Sequence, residues 1–190
     1  MVTGIIMASG FSKRMGEDKL LLEVEGIKVI ERVIKACKES LLDDIILVYR
    51  LNEVKDIAQK YHIRTIYNPN AHMGQSASVI QGVSNAYDTD GFMFFVADQP
   101  YLCSEIIDIL ISEFNKDKNK IVTPYFNMEF GMPIIFPVRF RDDLLQVKGD
   151  KGGREIIANN SDLVKIIHFD NEKLGADIDT VDDYLSLINK

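Results

Sequence analysis

Short apolar runs that are continuous rather than alternating constrain this chain most. Gly4–Ala8, Ile45–Tyr49 and Phe92–Ala97 are each of strand length and apolar throughout, the pattern of strands covered on both faces. Between them lie helical patterns. Residues 27–38 place Ile27, Val29, Ile30, Val33, Ile34 and Cys37 at near-helical spacing, with Glu31, Arg32, Lys35 and Lys38 opposite. Asn52 is placed to cap a helix over 53–61. Ile63–Tyr67 reads as a further strand, ended by Asn68-Pro69-Asn70 because the residue before proline avoids the helical region. Strand and helix alternating through short links predict an α/β fold: a doubly wound, mostly parallel central sheet with helices on both faces.

The rest of the chain continues the alternation. An amphipathic helix is expected over 104–115, capped by Ser104, and a short strand over 121–124. A loop over 125–131 then leads into a strand ending at Phe136. A short helix over 142–147, a strand over 163–169 and a final helix over 181–188 complete the reading. There is no internal repeat, low-complexity tract or linker, so the 190 residues read as a single domain, 1–190.

Open sheets of this kind hold ligands where strands end and helices begin, and four such places carry chemistry. The first follows the first strand: Ser9-Gly10-Phe11-Ser12-Lys13-Arg14-Met15-Gly16-Glu17-Asp18-Lys19. Small residues let backbone N–H groups approach an anion and three cations favour it, the makings of a phosphate cradle. An ordinary turn with solvated lysines is the alternative. Neither G-x-x-x-x-G-K-[ST] nor G-x-G-x-x-G occurs, so a P-loop and a dinucleotide fingerprint are excluded. The second is Gly74-Gln75-Ser76-Ala77-Ser78, suited to a base or ribose, or else to plain helix capping by Ser76. The third is Asp98, placed by a buried strand at the sheet's carboxyl edge and followed by Pro100; it reads as a magnesium ligand or an Asx turn. The fourth is Lys148–Glu155, where Gly152-Gly153 flanked by Lys151 and Arg154 suits an anionic substrate or simply starts a helix. Near the C-terminus, Thr180 with Asp182 and Asp183 reads as a helix cap with an acidic first turn. Asp177 and Asp179 are left over, spaced so that one faces a metal.

A net charge of −7 disfavours nucleic acid and anionic membranes as partners. Both cysteines, Cys37 and Cys103, read as small hydrophobes rather than catalytic thiols. His62, His72 and His168 have no ligand spacing. No basic segment precedes an apolar stretch, and the longest apolar run is far too short to span a bilayer, which predicts a cytoplasmic protein.

The motifs, in order, resemble those of the MobA-like nucleotidyltransferases, most closely the molybdenum cofactor cytidylyltransferase (MocA-type) branch. The resemblance rests on Met7-Ala8-Ser9-Gly10-Phe11-Ser12-Lys13-Arg14-Met15-Gly16 with Lys19, on Gly74–Ser78 with Gly82, and on Ala97-Asp98-Gln99-Pro100. It continues through Gly131-Met132-Pro133 with Phe136, Gly149–Arg154, and Asp177-Ile178-Asp179-Thr180. Family members often have Ala or Gly at the position of Ser9 and His at that of Met132, and guanylyl-transferring relatives carry a double glycine in the first loop. The resemblance implies a Rossmann-like, GT-A-like fold and transfer of CMP from CTP to the terminal phosphate of molybdopterin, with release of pyrophosphate. It implies Mg²⁺ held by Asp98 and by Asp179 or Asp177, and Arg14, Lys19 and Asp98 as the catalytic set. Ala8, Ser9, Gly10, Lys19, Gly74, Ser76, Ser78 and Asp98 would line the nucleotide; Gly131, Lys151 and Arg154 would face the acceptor. A molybdoenzyme recipient of the product is a further implied partner. Guanylyl transfer, another phosphorylated acceptor such as a sugar phosphate or phosphocholine, and a non-catalytic cofactor carrier are the alternatives.

Overall fold

The computed structural model describes residues 1–12, 18–126 and 128–188, without the side chains of Lys151 and Glu172. The chain runs β1 (Val2–Ala8), β2 (Glu23–Val24), β3 (Ile27–Lys28), α1 (Val29–Lys38), β4 (Asp44–Tyr49), α2 (Asn52–Lys60), β5 (Arg64–Tyr67), α3 (Gln75–Asn85) and β6 (Gly91–Val96). It continues through α4 (Ser104–Lys116), β7 (Ile121–Phe126), β8 (Glu129–Phe130), β9 (Ile134–Pro137), α5 (Arg141–Leu144), α6 (Arg154–Asn159), β10 (Val164–Phe169) and α7 (Val181–Ile188).

The main sheet has the order β10-β7-β9-β6-β1-β4-β5, with β8 beside β7. β1 sits beside the central β6 and pairs in parallel with both β4 and β6. β9 runs antiparallel to β6 and β7, the one inversion along that order. Two cores follow from the pleat of β1. Val2, Ile6 and Ala8 face α1, α2 and α4, meeting Ile34, Val54 and Leu110. Ile5 faces the other way, with Val79 and Val83 of α3, Phe92 and Phe94 of β6, and Leu144 and Ile156 from α5 and α6. Helices therefore cover both faces, as the unbroken apolar runs predict.

α3 lies almost on β1. A Cβ added at Gly82 would stand 2.3 Å from Ile5 Cγ2, a clash that forces the helix or the Ile5 side chain to shift. Gly82→Ala is expected to lower stability by about 1–3 kcal/mol, as overpacking does, measured as a lower denaturation midpoint; an unchanged midpoint would mean the helix moves freely.

Some local expectations are corrected. Asn52 and Ser104 are the first residues of their helices and do not cap them; the residues before, Leu51 and Cys103, make no side-chain cap bond. The expected loop over 125–131 instead extends β7 to Phe126 and returns as β8. The β2–β3 hairpin has no counterpart in the sequence reading, since Glu25 turns it with φ of 54° beside Gly26 at 76°, and a glutamate gives no turn signal. The acidic C-terminal cap is present: Asp183 Oδ2 accepts from Thr180 N at 2.7 Å, and Asp183 N donates to Thr180 Oγ1 at 3.2 Å.

Candidate active site

Because β1, β4 and β6 run side by side in parallel, the residues that follow them emerge at one edge: Ser9-Gly10, Arg50 and Ala97-Asp98-Gln99. Lys19 reaches this edge from a short 3₁₀ turn, Lys19–Leu21, capped by Asp18, whose side chain accepts from Leu20 N. The Lys19 ammonium lies 2.5 Å from Asp98 Oδ2 and 3.0 Å from Asp179 Oδ1. Burial disfavours its charge, but the two carboxylates outweigh that and raise its pKa above the ordinary lysine value.

Asp179 arrives from the far end of the chain by a specific route. Ile178 is wholly buried among Val24 and Val29, and its N–H donates to the Asp98 carbonyl at 3.1 Å. With Ile178 anchored, Asp179 reaches Lys19, and Asp177 lines the adjoining cavity. Asp177 keeps an open outer edge, yet burial of its carboxyl, reinforced by the charge of Asp98, pushes its pKa up to about 6. The alternating carboxylates left unexplained by helix capping are thus accounted for. The three aspartates do not form a ready-made cage: among the described residues no three His, Cys, Asp or Glu groups converge as metal ligands.

Unsatisfied groups single out the same edge. Among the described residues, the buried side-chain atoms without a hydrogen-bond partner are Arg50 Nε, Asp98 Oδ1 and Gln99 Oε1. All three follow β4 or β6. Each such atom costs roughly 1–3 kcal/mol, so their clustering marks a place shaped for a ligand rather than for stability. A carboxylate oxygen with no donor, beside a second carboxylate, is the donor set a hard divalent cation takes.

The first loop and α3 meet in a buried polar knot. Ser9 Oγ and Ser78 Oγ are 2.6 Å apart, and Asn68 Nδ2 donates to both, at 2.9 and 3.3 Å. The two serines expected at the nucleotide therefore come together, but their hydroxyls are engaged with each other and with Asn68, which the sequence reading treated only as a strand end. Ser76 is buried in the first turn of α3. Gly10 is exposed, and among the described residues nothing lies within 4 Å of where its Cβ would stand, the open space a cradle needs. Gly74, with φ of 94°, would drive a Cβ to 2.3 Å from Asp150 Oδ1, the same oxygen that accepts from Gln75 N at 3.2 Å. Asp150 thus ties the second glycine-rich loop to the start of α3. Lys13, Arg14 and Gly16 lie outside the described residues, as does the side chain of Lys151.

Beside Asp98 opens a cavity of about 940 Å³. Phe94, Phe126, Phe130 and Met132 give it apolar walls; Gln99, Asp177 and Arg154 add polar groups. Gly131 lines it as well, and a Cβ there would stand 2.5 Å from the Phe126 ring. A pocket of this size, apolar with a few converging polar groups, suits a small-molecule ligand. Among the described residues no helix is long and apolar enough to cross a membrane.

Known proteins with this architecture point the same way. Residues 4–164 match the model of the MobA-like NTP transferase domain family. A probable molybdenum cofactor guanylyltransferase from Natranaerobius thermophilus is 31% identical over 133 residues, 65% of this chain but 60% of that protein's own length. The purine catabolism protein PucB of Bacillus subtilis is 28% identical across 81% of this chain and 79% of its own. The crystal structure of Rv0371c from Mycobacterium tuberculosis superposes with a TM-score of 0.87 at 21% identity, covering 100% of this chain and 98% of the other. A complex of the same protein with manganese gives 0.84 at 19% identity over the same coverage. At that identity the likeness establishes the fold.

Proposed function

The chain belongs to the MobA-like NTP transferase family, and from that premise we propose that it transfers CMP from CTP to the terminal phosphate of molybdopterin, releasing pyrophosphate. The observation that carries the reading is Asp98: one oxygen on the Lys19 ammonium, the other buried with no partner, and Asp179 on the same lysine.

The chemistry asks little of the protein beyond position and charge. An ionised phosphate oxygen of the acceptor attacks the α-phosphorus; the bond to the bridging oxygen of the β-phosphate breaks, and pyrophosphate leaves with that electron pair. No proton has to be removed from the nucleophile, so the step needs no general base. Lys19, with Arg14 from the same loop, offsets negative charge on the β- and γ-phosphates. Asp98 and Asp179 are the residues that would hold Mg²⁺, which when bound adds further charge neutralisation. The manganese complex of the mycobacterial neighbour supports divalent-metal use. Ala8, Gly10, Gly74 and Ser76 line the nucleotide, while Ser9 and Ser78 brace that wall through Asn68. The aromatic cavity takes the pterin, with Gly131, Arg154 and Lys151 on the acceptor side. The product then passes to a molybdoenzyme.

Ser9, in a loop where guanylyl-transferring relatives carry a double glycine, supports the CTP reading. Guanylyl transfer is the second reading, favoured by the name of the Natranaerobius relative. Pyrophosphate release with Mg²⁺, compared across CTP, GTP, ATP and UTP with and without molybdopterin, separates them. Release that requires molybdopterin and prefers CTP is expected. A preference for GTP overturns the base assignment; release that needs only a sugar phosphate or phosphocholine overturns the acceptor. Molybdopterin binding without release from any nucleotide leaves a carrier.

A further inference from the structure

The motifs account for Lys19 but not for what holds it. Arg50 follows β4, and the register that sets Tyr49 against Ala8 brings it beside the loop leaving β1. Its guanidinium is wrapped by both ends of that loop. Nη2 donates to the Gly10 carbonyl at 3.2 Å and to Asp18 Oδ2 at 2.9 Å, and the guanidinium carbon lies 4.6 Å from the centre of the Phe11 ring. The ion pair is largely buried, at 24% and 11% side-chain exposure, so it is weakly screened and geometrically demanding. Asp18 passes the constraint on: its Oδ1 accepts from Leu20 N at 3.2 Å and from Ser12 Oγ at 3.4 Å, and Ser12 Oγ accepts from Lys19 N at 3.3 Å. Fixing Asp18 therefore fixes the 3₁₀ turn from which Lys19 projects.

The geometry points to Arg50 as a positioning residue for nucleotide binding, clamping residue 10 to residue 18 so that the turn carrying Lys19 is preset for a triphosphate. The inference rests on the nucleotidyl-transfer reading. Lysine is no substitute, because a point charge on a flexible stem does not bridge a carbonyl and a carboxylate while lying over a ring.

The test is steady-state kinetics of Arg50→Ala, Arg50→Lys, Asp18→Asn and the Asp18→Asn/Arg50→Ala pair, with thermal denaturation of each. Arg50→Ala should raise KM for the nucleotide about tenfold, the order of one lost charge-assisted hydrogen bond that orders a loop. kcat should change far less, and KM for the acceptor should hold. Arg50→Lys should resemble Arg50→Ala, and the double variant should be no worse than Arg50→Ala, because the two residues act as one unit. An unchanged nucleotide KM, full rescue by lysine, or a parallel loss of melting temperature and of affinity for both substrates overturns the positioning role. If the unmodified protein releases pyrophosphate normally, such a result leaves the functional reading standing. If it releases none from any nucleotide, both fall.

Discussion

Asp98→Asn is expected to lose turnover by about a thousandfold or more while the protein stays folded. The side chain joins the Lys19 ammonium to a buried oxygen with no other partner, so its charge serves the ligand more than the fold. Loss of one preorganised electrostatic group typically costs about 10²–10³ in rate, and on the proposed reading the variant also loses a metal ligand. Asparagine keeps the shape and one acceptor oxygen, so the denaturation midpoint should move little. Turnover within tenfold of the unmodified protein would show that Asp98 ends β6 as a turn residue and nothing more.

Lys19→Met has two effects of opposite sign. A cation already bridges Asp98 and Asp179, at 2.5 and 3.0 Å: the lysine's own ammonium. A divalent ion bound between those carboxylates competes with it unless a triphosphate offers the ammonium a new partner. Removing the ammonium should therefore tighten Mn²⁺ binding in the absence of nucleotide by about tenfold, since two charges some 4 Å apart interact by roughly 1–4 kcal/mol near a protein surface. The same variant should lose about a hundredfold in turnover, because one of the charges proposed to meet the departing pyrophosphate is gone. Electron paramagnetic resonance titration of Mn²⁺ reads the first effect and pyrophosphate release the second. Mn²⁺ affinity that falls in Lys19→Met would show that the lysine supports the ion rather than competing with it.

The layering of the fold was legible because burial on both faces leaves a direct mark: Ile5-Ile6, Ile46-Leu47-Val48 and Phe92–Phe95 are apolar without a break. What crossed the chain was harder. The antiparallel insertion of β9 leaves no trace in its own four residues, since Ile134–Pro137 reads alike in either direction. At the candidate site, the position of Asp98 was legible because a strand aims it. Asp177 and Asp179 stood out because helix capping explains only their neighbours, although which of them faces Lys19 depended on Ile178 finding its pocket. Arg50 and Asn68 were not found. Each looks like an ordinary residue after a strand, and their significance comes from partners about forty and sixty positions away, Gly10 and Ser9. The serines show the reverse case, where polar residues in a ligand-like loop prove to bond one another.

If a nucleotidyl group moves whole onto a phosphorylated acceptor, the α-phosphate goes with it. With CTP labelled at the α-phosphorus, Mg²⁺ and molybdopterin, the label is expected in the pterin product in step with unlabelled pyrophosphate. Label recovered instead as free CMP, or in CDP with release of inorganic phosphate, would contradict it.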